Sequence, residues 1–78
     1  MTMKELVKLI ACSIVDYPDE VEVTETEGDC TVILELKAAK EDTGKIIGKG
    51  GRTVSAMRTI LSGIGGKEKK RYVLEIKE

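Results

Sequence analysis

The segment Gly48–Gly51, with sequence Gly-Lys-Gly-Gly, separates two stretches of helical hydrophobic spacing. Glycine adopts backbone angles that are closed to other residues, so this segment predicts a tight turn between two helices. The first of these helices is expected at residues 43–47, and the second from Arg52 to about Ser62. The second helix is expected to end in a loop that contains Gly63, Gly65 and Gly66.

The N-terminal segment predicts a further helix. Thr2 and Glu5 have the spacing of a capping box, in which each side chain binds the backbone N–H of the other residue. Apolar residues then recur every three or four positions from Met3 to Ile14. Pro18 forces the residue before it out of helical conformation, so the helix must end upstream of it.

Three segments alternate apolar and polar residues and predict strands, at 21–24, 31–38 and 72–77. A turn at 27–29 makes the first two strands an antiparallel hairpin. The two helices before the third strand are long enough to cross over to a parallel neighbour. We therefore expect an α+β fold, in the order α-β-β-α-α-β, whose three-stranded mixed sheet carries three helices on one face.

Composition excludes several classes of function. The 78 residues include two tyrosines and no other aromatic residue, so base recognition cannot rely on aromatic stacking. Histidine is absent, which excludes the usual Cys/His zinc sites and histidine acid–base catalysis. Cys12 and Cys30 are expected to be reduced packing residues. We expect no metal and no cofactor. No apolar run approaches the ~20 residues of a membrane helix, so we expect a cytoplasmic protein with no membrane partner.

The charges are distributed unevenly along the chain. Residues 1–42 contain eleven acidic residues and four lysines, a net charge of −7, whereas residues 43–78 contain nine basic and three acidic residues, a net charge of +6. Such asymmetry is compatible with a surface that binds a polyanion, because cations near phosphates displace counterions. It is equally compatible with a small domain that has one basic face.

The predicted turn combines features that suit an anion. Lys49 lies at its tip, Lys45 and Arg52 flank it, and the following helix begins with unsatisfied backbone N–H groups. Other phosphate-binding loops do not fit. A Walker loop needs four residues between its first glycine and Gly-Lys, and here only three follow Gly44. A dinucleotide-binding loop needs glycine where Thr53 stands, and a strand before it.

The segment 46–52, Ile-Ile-Gly-Lys-Gly-Gly-Arg, resembles the Ile-Gly-x-x-Gly signature of KH domains. With residues 19–23 and 56–59, nearly the whole chain is similar to the small bacterial single-KH proteins of the KhpA kind. The resemblance implies one type II KH domain over residues 1–78. It also implies a non-catalytic protein of RNA metabolism, or an RNA chaperone, that pairs with itself or with a larger KH-containing partner.

The resemblance also implies a binding mode. The loop of a KH domain clamps about four nucleotides of single-stranded RNA. By this resemblance, the sugar–phosphate backbone would contact Gly48, Lys49, Gly50 and Gly51. Bases would lie in an apolar groove between the flanking helices, for which Ile47 and Val54 are the candidates. The loop from Gly63 to Lys70 would form the far wall of this groove.

Each assignment has an alternative. Ile47 and Val54 have the spacing of core residues, and periodicity alone does not separate core from groove. The basic residues 67–71 are more often a solvated loop than a contact. The domain could also act as a dimerisation or docking adaptor with little affinity for RNA. An enzyme is poorly supported, because no activated nucleophile and no carboxylate pair stands out.

Overall fold

The computed structural model describes residues 2–77 and contains the predicted order of elements. The helices and strands are α1 (Met3–Ile14), β1 (Glu22–Glu27), β2 (Thr31–Lys37), α2 (Thr43–Ile47), α3 (Arg52–Glu68) and β3 (Arg71–Lys77). Short 3₁₀ turns lie at Pro18–Glu20, Lys40–Asp42 and Lys49–Gly51. The order α-β-β-α-α-β is therefore confirmed.

The three strands form a mixed sheet in the order β1-β2-β3. β1 runs antiparallel to β2, with Glu22 opposite Lys37, and β3 runs parallel to β2, with Leu34 opposite Leu74. The strand period of two places alternate residues of β2 on the same face, and that face is buried under the helices. The crossover through α2 and α3 makes the parallel pairing possible.

Within residues 2–77, the buried apolar side chains of the core are aliphatic except for Met57. Its fully buried large side chains include Val7 from α1, Leu34 and Leu36 from β2, Ile46 from α2, and Leu61 from α3. Burial of each such side chain contributes about 1.5–3 kcal/mol relative to exposure. The core therefore joins all three helices to the central strand.

The capping box of α1 forms as predicted. The Thr2 hydroxyl accepts a hydrogen bond from the backbone N–H of Glu5 at 3.1 Å, and the Glu5 carboxylate accepts one from the backbone N–H of Thr2 at 3.3 Å. This second bond stabilises the ionised acid and lowers the pKa of Glu5. Within residues 2–77, no helix has both the length and the apolar content needed to cross a bilayer.

The predicted loop after Ser62 is wrong, because α3 continues to Glu68 and only a short turn precedes β3. Packing against β3 explains the difference. A Cβ on Gly65 would collide with the carbonyl oxygen of Lys70 and lie 3.2 Å from the Tyr72 ring, so glycine lets the helix approach the strand. The N–H of Lys70 donates to the carbonyl of Gly65 at 2.8 Å, and Lys69 closes the helix with a positive φ of 59°.

Candidate nucleic-acid interface

The turn between α2 and α3 is built from three glycines with positive φ. Gly48 ends α2 with φ 79°, and Gly50 and Gly51 follow with φ of 65° and 76°. A Cβ on Gly48 would lie 2.8 Å from both the Cβ and the backbone nitrogen of Thr53, so this position has no room for a side chain. At Gly50 and Gly51 a Cβ would meet nothing within 4 Å. The outer surface of the turn is therefore open to an approaching ligand.

Part of the predicted set of backbone donors is already used. The N–H of Gly48 donates to the carbonyl of Gly44 at 2.9 Å, and that of Gly51 donates to the carbonyl of Gly48 at 3.0 Å. The N–H of Arg52 donates to the carbonyl of Lys49. These three groups stabilise the turn itself. Of the donors predicted at the start of α3, the N–H of Arg52 is therefore not free to bind an anion.

Lys49 and Arg52 are exposed, and none of the four ion pairs formed within residues 2–77 includes either of them. Lys45 differs, although it lies only four positions before Lys49. Its ammonium group forms an ion pair with the carboxylate of Asp16 and lies 3.9 Å from Oδ1 of Asp42. The hydrogen bond to Asp16 raises the pKa of Lys45. Lys45 is therefore held at the junction of α1 and α2 by two carboxylates.

The two apolar candidates have different environments. Ile47 is half-buried at the end of α2 and packs against the core cluster. Val54 is 6% exposed and belongs to the core. For Val54, the structure thus supports the alternative of core packing. Ile47 has an accessible part and can contact both the core and a ligand.

A cavity of about 740 Å³ opens beside α2 and reaches Ile47. Its other lining residues come from the 3₁₀ turn after α1, the end of β2, the connection between β2 and α2, and α2 itself: Glu20, Lys37, Ala38, Ala39, Lys40, Thr43 and Gly44. Sequence reasoning placed the groove between α2 and α3 and did not identify this set. One available signal was Gly44, a glycine inside a predicted helix and four residues before the turn.

A buried carboxylate anchors the short helix that carries the turn. Asp42 is 0% exposed, immediately precedes α2, and accepts hydrogen bonds from the backbone N–H groups of Asp16 and Tyr17 at 3.1 and 2.9 Å. Both donors follow the C-terminal end of α1. The turn is therefore positioned by α1 as well as by the sheet.

The element order, the mixed sheet and the glycine turn between α2 and α3 together define a type II KH domain. Comparison with known proteins agrees. The profile of the KhpA/KhpB KH domain matches residues 4–76, so the chain belongs to this family.

Two relatives and one solved structure illustrate the match. The chain is 54% identical over 74 residues to the RNA-binding protein KhpA of Clostridium acetobutylicum, covering 95% of this chain and 99% of that protein. It is 51% identical over 76 residues to KhpA of Aquifex aeolicus, covering 97% and 96%. A crystal structure of Aquifex aeolicus Era matches with a TM-score of 0.64 and 19% identity, over 95% of this chain and 29% of the Era chain. The likeness to Era supports the fold alone.

Proposed function

We propose that the chain is a non-catalytic protein that binds single-stranded RNA through the turn Gly48–Gly51. The observation that carries the proposal is the open surface at Gly50 and Gly51, next to the exposed cations Lys49 and Arg52. Relatives that match nearly the whole chain are named RNA-binding proteins. We further propose a role as an RNA chaperone or regulator of RNA metabolism, which the resemblance to the KhpA family implies.

In the proposed binding mode, the glycine turn binds the RNA backbone and a neighbouring apolar surface contacts the bases. The absence of side chains at Gly50 and Gly51 lets a phosphate approach the main chain, and Lys49 and Arg52 neutralise its charge. Bases next to that phosphate would reach the accessible part of Ile47. Aliphatic contacts must provide this surface, since the two tyrosines are the only aromatic residues of the chain.

The clamp should bind weakly and respond to salt. Two to four phosphate contacts on a single strand give a slope of log affinity against log salt of about −1.5 to −3, at ~0.7 per contact. Fluorescence anisotropy of a labelled single-stranded RNA at several salt concentrations measures this slope. A slope near zero would rule out a phosphate clamp.

The site itself is tested by the double variant Lys49→Asp, Gly50→Asp. Both changes place negative charge on exposed positions where a phosphate is expected, and neither removes a core side chain. A matched control is Lys8→Asp, Gly28→Asp, which makes the same two replacements at exposed positions of α1 and of the turn between β1 and β2. We expect the first variant to lose RNA binding, and the control to retain it, with both folded by circular dichroism. Equal losses would mean that net charge alone carries the binding.

A dimerisation or docking adaptor is the second candidate function. Two exposed apolar residues favour this function. Ile60 on α3 is 49% exposed, and Leu9 on α1 is 54% exposed. Sedimentation equilibrium separates the two functions. A dimer with no measurable affinity for RNA would favour the adaptor, whereas RNA binding that is lost in Lys49→Asp, Gly50→Asp would favour the clamp.

A further inference from the structure

Lys45 is a cation close to the glycine turn whose side chain is held away from it. Its ammonium group donates a hydrogen bond to the carboxylate of Asp16 and lies 3.9 Å from Oδ1 of Asp42. Asp42 immediately precedes α2, and the backbone N–H of Asp16 donates to the same Oδ1 at 3.1 Å. Both acids therefore lie at the start of α2, whereas the turn follows its end.

The two carboxylates hold Lys45 in different ways. Asp42 is fully buried, and its oxygens accept hydrogen bonds from the backbone N–H groups of Asp16 and Tyr17. Its distance of 3.9 Å from the ammonium group is too long for a hydrogen bond. Asp16 instead accepts the hydrogen bond of Lys45 directly, and its carboxylate is 69% exposed. Asp16 is therefore the contact that fixes the lysine side chain, and it can be replaced without disturbing the core.

Without Asp16, the ammonium group of Lys45 could reach the turn. A helix rises about 1.5 Å per residue, so Gly48 lies only ~4.5 Å further along the axis of α2. Residues three positions apart lie on the same side of a helix. The side chain of Lys45 is 46% exposed and has a flexible four-carbon stem. A phosphate at the turn and the carboxylate of Asp16 are thus two anions that compete for one ammonium group.

We propose that Asp16 lowers the affinity of the turn for single-stranded RNA, because it holds the ammonium group of Lys45 away from the phosphate. The inference rests on the proposed function, since a phosphate must bind at the turn for Lys45 to be withheld from it. Asp16 would then set the affinity for RNA without contacting RNA itself.

The variant Asp16→Asn tests this inference. It removes the charge of the carboxylate and keeps the backbone N–H that donates to Asp42. Its affinity for a single-stranded RNA octamer should rise about two- to fivefold, the range expected when an exposed ion pair no longer competes. Its slope of log affinity against log salt should become more negative by about 0.7, because one phosphate contact is gained. Fluorescence anisotropy at several salt concentrations measures both quantities, and circular dichroism verifies the fold.

Glu41→Gln is the matched control. Glu41 is exposed and adjacent to Asp42, and none of the four ion pairs formed within residues 2–77 includes it. This control removes one negative charge from the same region but releases no cation, so its salt slope should equal that of wild type. A second control is the double variant Asp16→Asn, Lys45→Gln. It should bind RNA like Lys45→Gln alone, because the released ammonium group is absent.

Two outcomes would overturn the role of Asp16 while the proposed function stands. In the first, wild type binds RNA with the expected salt slope, and Asp16→Asn changes affinity and slope no more than Glu41→Gln does. In the second, the gain from Asp16→Asn persists in the Lys45→Gln background. If wild type binds no RNA at all, the proposed function fails, and the role of Asp16 fails with it.

Discussion

Asp42 accepts a hydrogen bond from the backbone N–H of Tyr17 at 2.9 Å, and its carboxylate is fully buried. A second bond, from the N–H of Asp16, measures 3.1 Å. These bonds join the chain after α1 to the start of α2. Because α2 has only five residues, it cannot be stable as an isolated helix and depends on such anchors. Asp42 therefore helps to position the glycine turn, although it lies outside it.

We expect Asp42→Asn to destabilise the protein by about 2–3 kcal/mol, because charge-assisted bonds are lost and a buried N–H faces an amide NH₂ group. Urea denaturation followed by circular dichroism measures the free energy of unfolding. Asp16→Asn is the matched control. Its carboxylate is 69% exposed and pairs with Lys45, so we expect a loss below about 1 kcal/mol. Similar losses in the two variants would show that the buried hydrogen bonds of Asp42 stabilise the fold no more than the exposed ion pair of Asp16 does.

Two adjacent glycines of α3 should respond in opposite directions to alanine. Gly65→Ala should destabilise by about 1–3 kcal/mol, because its Cβ collides with the carbonyl of Lys70. Gly66→Ala should stabilise by about 0.5–1 kcal/mol, because its Cβ enters open space. Thermal denaturation of both variants measures the difference. If both replacements stabilise, the helix does not pack on β3 as closely as described.

Tyr72 provides a pH-dependent contribution to stability. Its hydroxyl donates to the Glu68 carboxylate at 2.6 Å, which raises the pKa of Tyr72 to about 12. The folded state thus holds this proton more tightly than the unfolded state, whose phenol has a pKa of about 10. The contribution is complete below pH ~10 and is lost as the pH rises towards ~12.

Ultraviolet titration in the background of Tyr17→Phe observes Tyr72 alone, because the chain has two tyrosines. Adding Glu68→Gln should lower the pKa of Tyr72, since the replacement removes the charged acceptor. An unchanged titration curve would contradict the hydrogen bond.

The two lysines that flank Gly48 should differ in their effect on RNA binding. Lys49→Gln should weaken binding and make the salt slope less negative by about 0.7, since one phosphate contact is lost. Lys45→Gln should have the smaller effect, because the carboxylates of Asp16 and Asp42 already hold Lys45. Anisotropy titrations at several salt concentrations measure both slopes. Equal changes would mean that Lys45 leaves Asp16 when RNA binds.

The order of elements could be predicted because each helix or strand carries its own hydrophobic period. The capping box at Thr2 and the alternation from Val32 to Leu36 depend on neighbours in the chain, and both are confirmed. The end of α3 could not be predicted in this way. Gly63, Gly65 and Gly66 indicate a break by local propensity, but close packing against Tyr72 stabilises the helix instead.

The candidate site also has features that the sequence predicts and features that only the tertiary structure determines. The sequence by itself determined the turn at Gly48–Gly51, because positive φ angles favour glycine wherever the chain folds. Only the tertiary structure decided that Lys45 is paired with Asp16, that Val54 is in the core, and that a cavity opens at Gly44. The physical reason is distance along the chain. Asp16 is 29 residues from Lys45, so their contact exists only after α1 and α2 have packed together.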